Sequence, residues 1–263
     1  MPAPIGRSGF AVDAAAYDLF MGRYSRPLAD LFADAAGVEH GQSALDVGCG
    51  PGALTGVLVQ RLGAASVAAC DPSSSFVTAC RERHPGVEVT SGSAEALPFA
   101  AGRFDRVLAQ LVLHFVSEPR QALRELMRVA RPGGAIAACV WDFGGGMQLL
   151  RRFWDAALAV DPAAPDEART LRFGREGELA ALLSTAALRD VTETTLRVCV
   201  EYQSFDELWG GLRAGVGPAG SYCAALAPSQ QERVREILLQ GLGAPSGPFQ
   251  LSALARCATG RVP

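Results

Sequence analysis

The chain reads as an α/β protein built on a mostly parallel sheet with helices on both faces. Three observations predict this. Short apolar runs alternate with helix-period segments from Gln42 to Val140. The joints between them are short and rich in Gly, Pro, Asp and Ser. The glycine-bearing and acid-bearing joints follow the carboxyl ends of the runs, where open parallel sheets place ligands. With 263 residues, 49 % of them apolar, the chain can bury one large core.

The elements follow in order. Residues 10–37 have helical period, with Phe10, Tyr17, Phe20, Met21, Leu28, Leu31 and Phe32 spaced by threes and fours. Pro27 suits the first turn of a second helix. From Gln42 the period changes. Ser43 to Val47 is a buried strand that runs into Gly48-Cys49-Gly50-Pro51-Gly52, and Ala53 to Leu62 is a helix ended by Gly63. Ser66 to Cys70 is the second strand, closed by Asp71, with Pro72 and Ser73 opening a helix that ends near His84. Val87 to Val89 and Phe104 to Ala109 are the third and fourth strands. Residues 118–130 form a helix, and Pro132-Gly133-Gly134 turns into a fifth strand, Ala135 to Val140. Beyond the Gly144-Gly145-Gly146 joint the order loosens. Glu176 to Ala187 reads as helix, Asp190 to Tyr202 as strand, Ser204 as a helix cap, Gln230 to Gln240 as helix. Phe249 to Thr259 reads as a final, antiparallel strand.

Composition narrows the function. The formal charge is −3 and the arginines alternate with acids, so no basic face for nucleic acid is expected. No apolar run approaches the roughly 18 residues of a membrane span. Met1 to Gly9 lacks the pattern of a secretion signal, so a cytoplasmic protein is expected. The chain contains no lysine and no asparagine, which excludes a lysine Schiff base, a P-loop lysine and an Asn-linked glycan. Its seven cysteines form no C-x-x-C pair, so no metal site is expected.

The strongest motif is Leu45-Asp46-Val47-Gly48-Cys49-Gly50-Pro51-Gly52. Glycines permit a positive-φ turn and close approach of a ligand, and the turn ends at a helix N-terminus. Gly48-x-Gly50-x-x-Ala53 also satisfies the dinucleotide-binding pattern, so a nicotinamide oxidoreductase is the main rival. Asp46 argues against it, because a carboxylate two residues before the first glycine repels a pyrophosphate and attracts a cationic amine. The motif also follows some forty residues of helix-period sequence, whereas a dehydrogenase often starts with it. The Tyr-x-x-x-Lys pair of short-chain reductases cannot exist without lysine.

Taken together, these motifs resemble the class I S-adenosylmethionine-dependent methyltransferases, in the subgroup acting on small molecules. The resemblance covers about residues 40–141. It implies a Rossmann-like doubly wound seven-stranded mostly parallel sheet with the last strand antiparallel. It also implies a helical N-terminal lid (10–40), a cofactor-binding core (41–142), a small cap inserted after the fifth strand (143–225) and a final helix and strand (226–263) within one domain. Asp46, Gly48, Cys49 and Gly50 would form the methionine-side turn. Asp71, with Pro72, resembles the acid that grips the ribose hydroxyls, and Phe76 the apolar residue against the adenine. Ser93-Ala94-Glu95 resembles the loop after the third strand, where relatives carry Asp in place of Ser93. Gln110 and Leu111 would face the methionine part.

The cofactor implied is S-adenosylmethionine, with S-adenosylhomocysteine as product. The acceptor is a small molecule taken by a monomer or homodimer, with no nucleic-acid or membrane partner.

Other residues have two readings. His114, next along, would sit near the methyl group as a general base, or be a packed histidine. Arg23 would pair with the cofactor carboxylate, or be a solvated surface residue. Tyr17 is core or lid. Glu125 with Arg128 reads as a plain helical ion pair, and His40 and His84 as solvated turn residues. Phe143, Phe153, Trp154, Phe173, Tyr202, Phe205, Trp209 and Tyr222 would line an apolar pocket for an aromatic or polyketide-like metabolite, or form the cap's own core. A third function, a non-catalytic regulator that keeps the fold, is disfavoured by the intact glycine turn and Asp71.

Overall fold

A computed structural model describes residues 14–263. Phe10 and the stretch Met1 to Gly9 lie outside them.

Two short N-terminal helices, α1 (Ala14–Leu19) and α2 (Gly22–Ala35), precede the sheet. The break between them falls at Phe20-Met21, and Pro27 lies inside α2. The expected break at Pro27 is therefore corrected. Phe20 and Met21 are both buried, so the chain turns where two apolar side chains enter the core. Strand β1 (Ala44–Val47) leads through the glycine turn to α3 (Ala53–Leu62), then β2 (Val67–Asp71), α4 (Ser74–Arg83), β3 (Glu88–Ser91) and β4 (Phe104–Gln110). Next come α5 (Pro119–Val129), β5 (Ala130–Trp141), α6 (Gln148–Val160), α7 (Glu167–Thr170), α8 (Glu178–Ser184) and β6 (Arg189–Tyr202). Helices α9 (Phe205–Arg213), α10 (Gly217–Ala225) and α11 (Pro228–Gly241) precede β7 (Phe249–Arg261).

The seven strands form one sheet in the order β3-β2-β1-β4-β5-β7-β6. The first five pair in parallel, and β7 is antiparallel to both β5 and β6. The last strand thus inserts between two earlier ones, and the sheet reverses its build direction beside β1. That reversal, between β1 and β4, is the topological switch at which such sheets bind ligands.

Alternate strand residues serve opposite faces. Ala44, Leu108, Ala137 and Cys139 pack with α2, α3, α6 and α9–α11. Leu45, Val47, Val107, Ala109, Ile136 and Ala138 pack with α5 and α8. Both faces are buried, which is why these strands read as continuous apolar runs. Beyond β5, residues 143–225 add β6 to the sheet as well as helices over it. No helix among the described residues is long and apolar enough to cross a membrane.

Candidate functional site

The glycine turn closes the carboxyl end of β1. Gly48 and Cys49 both donate their N–H to the Cys70 carbonyl of β2, at 2.8 and 3.0 Å, which folds the turn back against the neighbouring strand. Gly48 has φ +70°. A Cβ there would meet Val112 Cγ2 at 2.5 Å, so the loop after β4 is pressed onto the turn. Gly52, φ +97°, is covered by the His84 ring in the same way. His84 Nε2 lies 2.9 Å from the Gly52 carbonyl, and Arg83 donates to the Pro51 carbonyl at 3.2 Å. His84 is therefore a packed partner of the turn, a correction to its reading as a solvated residue.

Two buried carboxyls face this end of the sheet. Asp46 is 1 % exposed and accepts from Thr55 Oγ1 at 2.6 Å. Burial pushes its carboxyl up to about 7; the Thr55 hydrogen bond pulls against this, and the nearby Asp71 adds to it. Asp71, at the tip of β2, accepts from the Gly50 and Ser73 backbone N–H groups at 2.9 and 2.8 Å. Burial raises it too, against those two hydrogen bonds. Among the described residues, neither carboxyl has an ion pair to an arginine or histidine. Two adjoining uncompensated acids suit a ligand that brings positive charge and hydroxyl donors. They oppose a pyrophosphate. The residues present thus fit an adenosyl sulfonium cofactor.

The remaining sequence candidates fall around this point. Phe76 is buried on α4 with the Tyr17 ring edge-on at 5.5 Å, so Tyr17 is part of the helical cover over this end. Pro72 is exposed beside Asp71. Ser93 is half-buried and pairs with Ala96 across a tight bridge, with Ala94 buried beneath. This loop is anchored from α5. Arg128 donates to the Phe99 and Leu97 carbonyls at 2.7 and 2.9 Å, Glu125 accepts from the Leu97 N–H at 2.8 Å, and Gln121 Nε2 reaches the Glu95 carbonyl at 3.2 Å. The Glu125–Arg128 pair is thus more than a helical ion pair. Sequence reasoning missed its role because the i,i+3 spacing explains the pair without the loop.

Gln110 ends β4. Its Nε2 donates to the Ser25 carbonyl of α2 at 2.9 Å, while its buried Oε1 has no protein partner. Leu111 follows in the left-handed region, φ +60°, a conformation that costs a non-glycine residue about 1–2 kcal/mol. It turns the chain so that Val112 covers Gly48 and His114 enters the interior. His114 is 4 % exposed, its Nδ1 lacks a partner, and burial drives its imidazole down to about 3. The ring is neutral at physiological pH and lies 5.3 Å from that of Phe143.

Arg23 is placed elsewhere. It donates to Glu207 at 2.7 Å and to the Glu201 carbonyl at 2.9 Å, and stacks over Tyr202 at 4.6 Å. Its charge is taken up at the β6–α9 end of the molecule.

Beyond the glycine turn lies a small apolar cavity, lined in part by Tyr17, Leu111, His114, Trp141, Phe143 and Glu167. Of the eight cap aromatics expected to line a pocket, Phe143 lines this cavity, and Phe173 joins it in lining a second, more open one. Phe153, Trp154, Tyr202, Phe205 and Trp209 are buried in the core. Glu167 was missed as well. It follows a proline-broken loop and an acid that caps a single helical turn, a pattern that reads as exposed surface.

Comparison with known proteins agrees with this geometry. A methyltransferase-domain family model matches residues 45–138. A malonyl-[acyl-carrier protein] O-methyltransferase from Pseudescherichia vulneris is 32 % identical over 154 residues, 59 % of this chain and 58 % of that protein. A demethylmenaquinone methyltransferase from Renibacterium salmoninarum is 37 % identical over 106 residues, 40 % of this chain and 44 % of that one. The chain therefore spans about half the length of these curated relatives. Among solved structures, a candidate methyltransferase from an antibiotic biosynthesis pathway of Anabaena variabilis superposes with a TM-score of 0.62 at 20 % identity, covering 89 % of this chain and 98 % of that one. With the glycine turn, the two buried acids and the seven-stranded sheet in place, residues 45–138 match the methyltransferase-domain family model, and the fold is that of the class I S-adenosylmethionine-dependent methyltransferases.

Proposed function

We propose that this chain transfers a methyl group from S-adenosylmethionine to a small, largely apolar acceptor held in the cavity behind Leu111. The observation that carries this reading is the adjacency of two unlike spaces. One is a polar turn whose buried acids, Asp46 and Asp71, lack a cation. The other is an apolar chamber walled by the same Leu111–Phe115 segment.

When bound, the cofactor supplies an already activated methyl group, so the protein's part is orientation and exclusion of water. Asp71 would hold the ribose hydroxyls. Asp46 and the glycine turn would take the methionine portion. Phe76 and Ala94 would pack the adenine, with Ser93 offering it a neutral acceptor and the Glu95 segment framing its edge. The unpartnered Gln110 Oε1 is a ready acceptor for an ammonium. His114, neutral and buried, serves as a hydrogen-bond acceptor in the chamber and stores no proton at physiological pH. The relatives named for malonyl-[acyl-carrier protein] and demethylmenaquinone support small-molecule or carrier-bound acceptors as a group.

Calorimetric titration with S-adenosylmethionine and S-adenosylhomocysteine tests this. Wild type binds both. Asp71→Ala, which removes a charged acceptor worth about 1.5–3 kcal/mol, weakens binding at least about tenfold. Failure of folded wild type to bind either ligand refutes the reading.

A further inference from the structure

One buried charge has no part in that account. Glu167 opens α7, is 3 % exposed and lines the apolar cavity. Trp154 Nε1 donates to its Oε2 at 2.7 Å. Its neighbour Asp166 takes Arg151 at 3.0 Å, whereas Glu167 has no ion pair among the described residues. The titratable groups around it are Tyr17 and His114 across the cavity and Asp166 beside it in the chain. Burial keeps Tyr17 and His114 uncharged at physiological pH. Arg151, on α6, is committed to Asp155 and Asp166.

Burying a carboxylate beside a single neutral donor is unfavourable, and a glutamine or an apolar residue would fill this place more stably. Its position in a cavity wall makes it a recognition group. We propose that Glu167 selects the methyl acceptor: an uncharged, mainly apolar molecule presenting a hydroxyl to its carboxylate, with anionic acceptors excluded. The proposal rests on the methyl-transfer reading for the word acceptor, and on the cavity alone for the selectivity.

Three arguments support it. First, among the described lining residues no side chain is cationic, so an acceptor carboxylate or phosphate would set its charge against Glu167 with nothing to offset it. Second, a hydroxyl that donates to Glu167 keeps its lone pairs free, which a methyl acceptor requires; an ammonium would pair with the carboxylate but has no lone pair left. Third, burial pushes the Glu167 carboxyl up to about 7, with Trp154 opposing and Asp166 adding, so its carboxylate form is available at neutral pH with enhanced proton affinity.

The test uses the full chain and a matched pair of probes, 2-naphthol and 2-naphthoate, titrated calorimetrically with and without saturating S-adenosylhomocysteine. Wild type is expected to bind 2-naphthol at least tenfold more tightly than 2-naphthoate. Glu167→Gln keeps one acceptor oxygen for Trp154 and places an amide N–H where the hydroxyl's oxygen can accept, so 2-naphthol affinity changes by less than about threefold. The same variant removes the negative charge, so 2-naphthoate affinity rises at least tenfold. A gain of binding cannot come from misfolding. Equal affinity of wild type for the two probes, absence of 2-naphthol binding, or a 2-naphthoate affinity unmoved by Glu167→Gln overturns the proposal. Failure of S-adenosylhomocysteine alone to bind overturns the methyl-transfer reading and leaves the probe discrimination to report on Glu167 separately.

Discussion

Replacing Gly48 by alanine imposes two separable penalties. The residue sits at φ +70°, where an L side chain costs about 1–2 kcal/mol. Its new Cβ would lie 2.5 Å from Val112 Cγ2 and 3.2 Å from Val112 Cγ1, and forced overpacking of this kind costs about 1–3 kcal/mol. The sum is roughly 2–5 kcal/mol, or a fall in melting temperature of roughly 4–20 °C for a chain of this size. Gly50 supplies the control. It too has positive φ, +54°, but its Cβ would meet nothing within 4 Å. Gly50→Ala should therefore cost only the conformational part, about 1–2 kcal/mol. The assay is urea unfolding followed by circular dichroism on both single variants, on Val112→Ala and on Gly48→Ala/Val112→Ala. The double-mutant cycle should return about 1–3 kcal/mol of coupling between positions 48 and 112. Equal destabilisation by Gly48→Ala and Gly50→Ala, or no coupling, would refute the claim that the post-β4 loop is pressed onto the glycine turn.

Other outcomes follow from the buried acids and the loop clamp. Asp46 and Glu167 both have folded-state carboxyls raised to about 7 by burial. Their protonated forms favour the folded state, so this stability is fully present below their unfolded pKa and is lost as pH rises through about 7. Unliganded protein should therefore unfold at higher urea at pH 5.5 than at pH 8, and the difference should shrink in Asp46→Asn and again in Glu167→Gln. A slope of opposite sign across that window would contradict the burial of these groups. Carboxyls held low, such as Glu125 by Arg128 and Glu88 by Arg103, act at lower pH, while His114, driven down to about 3 by burial, opposes the slope below its ordinary value of 6.5 as one group against two acids. Trp154→Phe strips Glu167 of its donor and should destabilise by about 1–3 kcal/mol at pH 8, and less at pH 5.5, as read by thermal melts. Arg128→Ala frees the Leu97 and Phe99 carbonyls and should open residues 93–99 to limited proteolysis while leaving the far-ultraviolet circular dichroism unchanged.

The fold was largely legible because its parallel strands are buried on both faces, so composition alone marks them, and because Gly, Pro, Asp and Ser punctuate each joint. Helix α3 matches its expected bounds, Ala53 to Leu62, since a glycine lies at each end. What escaped was set by packing between distant segments. Pro27 is a strong local signal for a helix start, yet burial of Phe20 and Met21 moves the break to before Gly22. Arg23 carries no local sign that its partner is Glu207, 184 residues away. The cap aromatics leave pocket and core both open in the sequence, because aromatic content is visible while inward direction is not; most of them are core.

The two halves of the site are written in the chain differently. The turn and its acids, Asp46 to Gly52 with Asp71, depend on backbone geometry, and backbone geometry demands particular residues at fixed spacing. Glycine at φ +70° and a carboxylate that must meet the Gly50 N–H leave little choice, so a motif forms and can be read. The chamber depends on where side chains from α1, the post-β4 turn, α6, α7 and α10 converge, and many sequences can line an apolar space. No spacing links Tyr17, His114, Glu167 and Val216. One residue there still escapes the freedom of the rest, because a buried acid without a cation is destabilising unless it meets a ligand. Glu167 is therefore the position where a change of acceptor should be written, while the glycine turn should stay the same across acceptors.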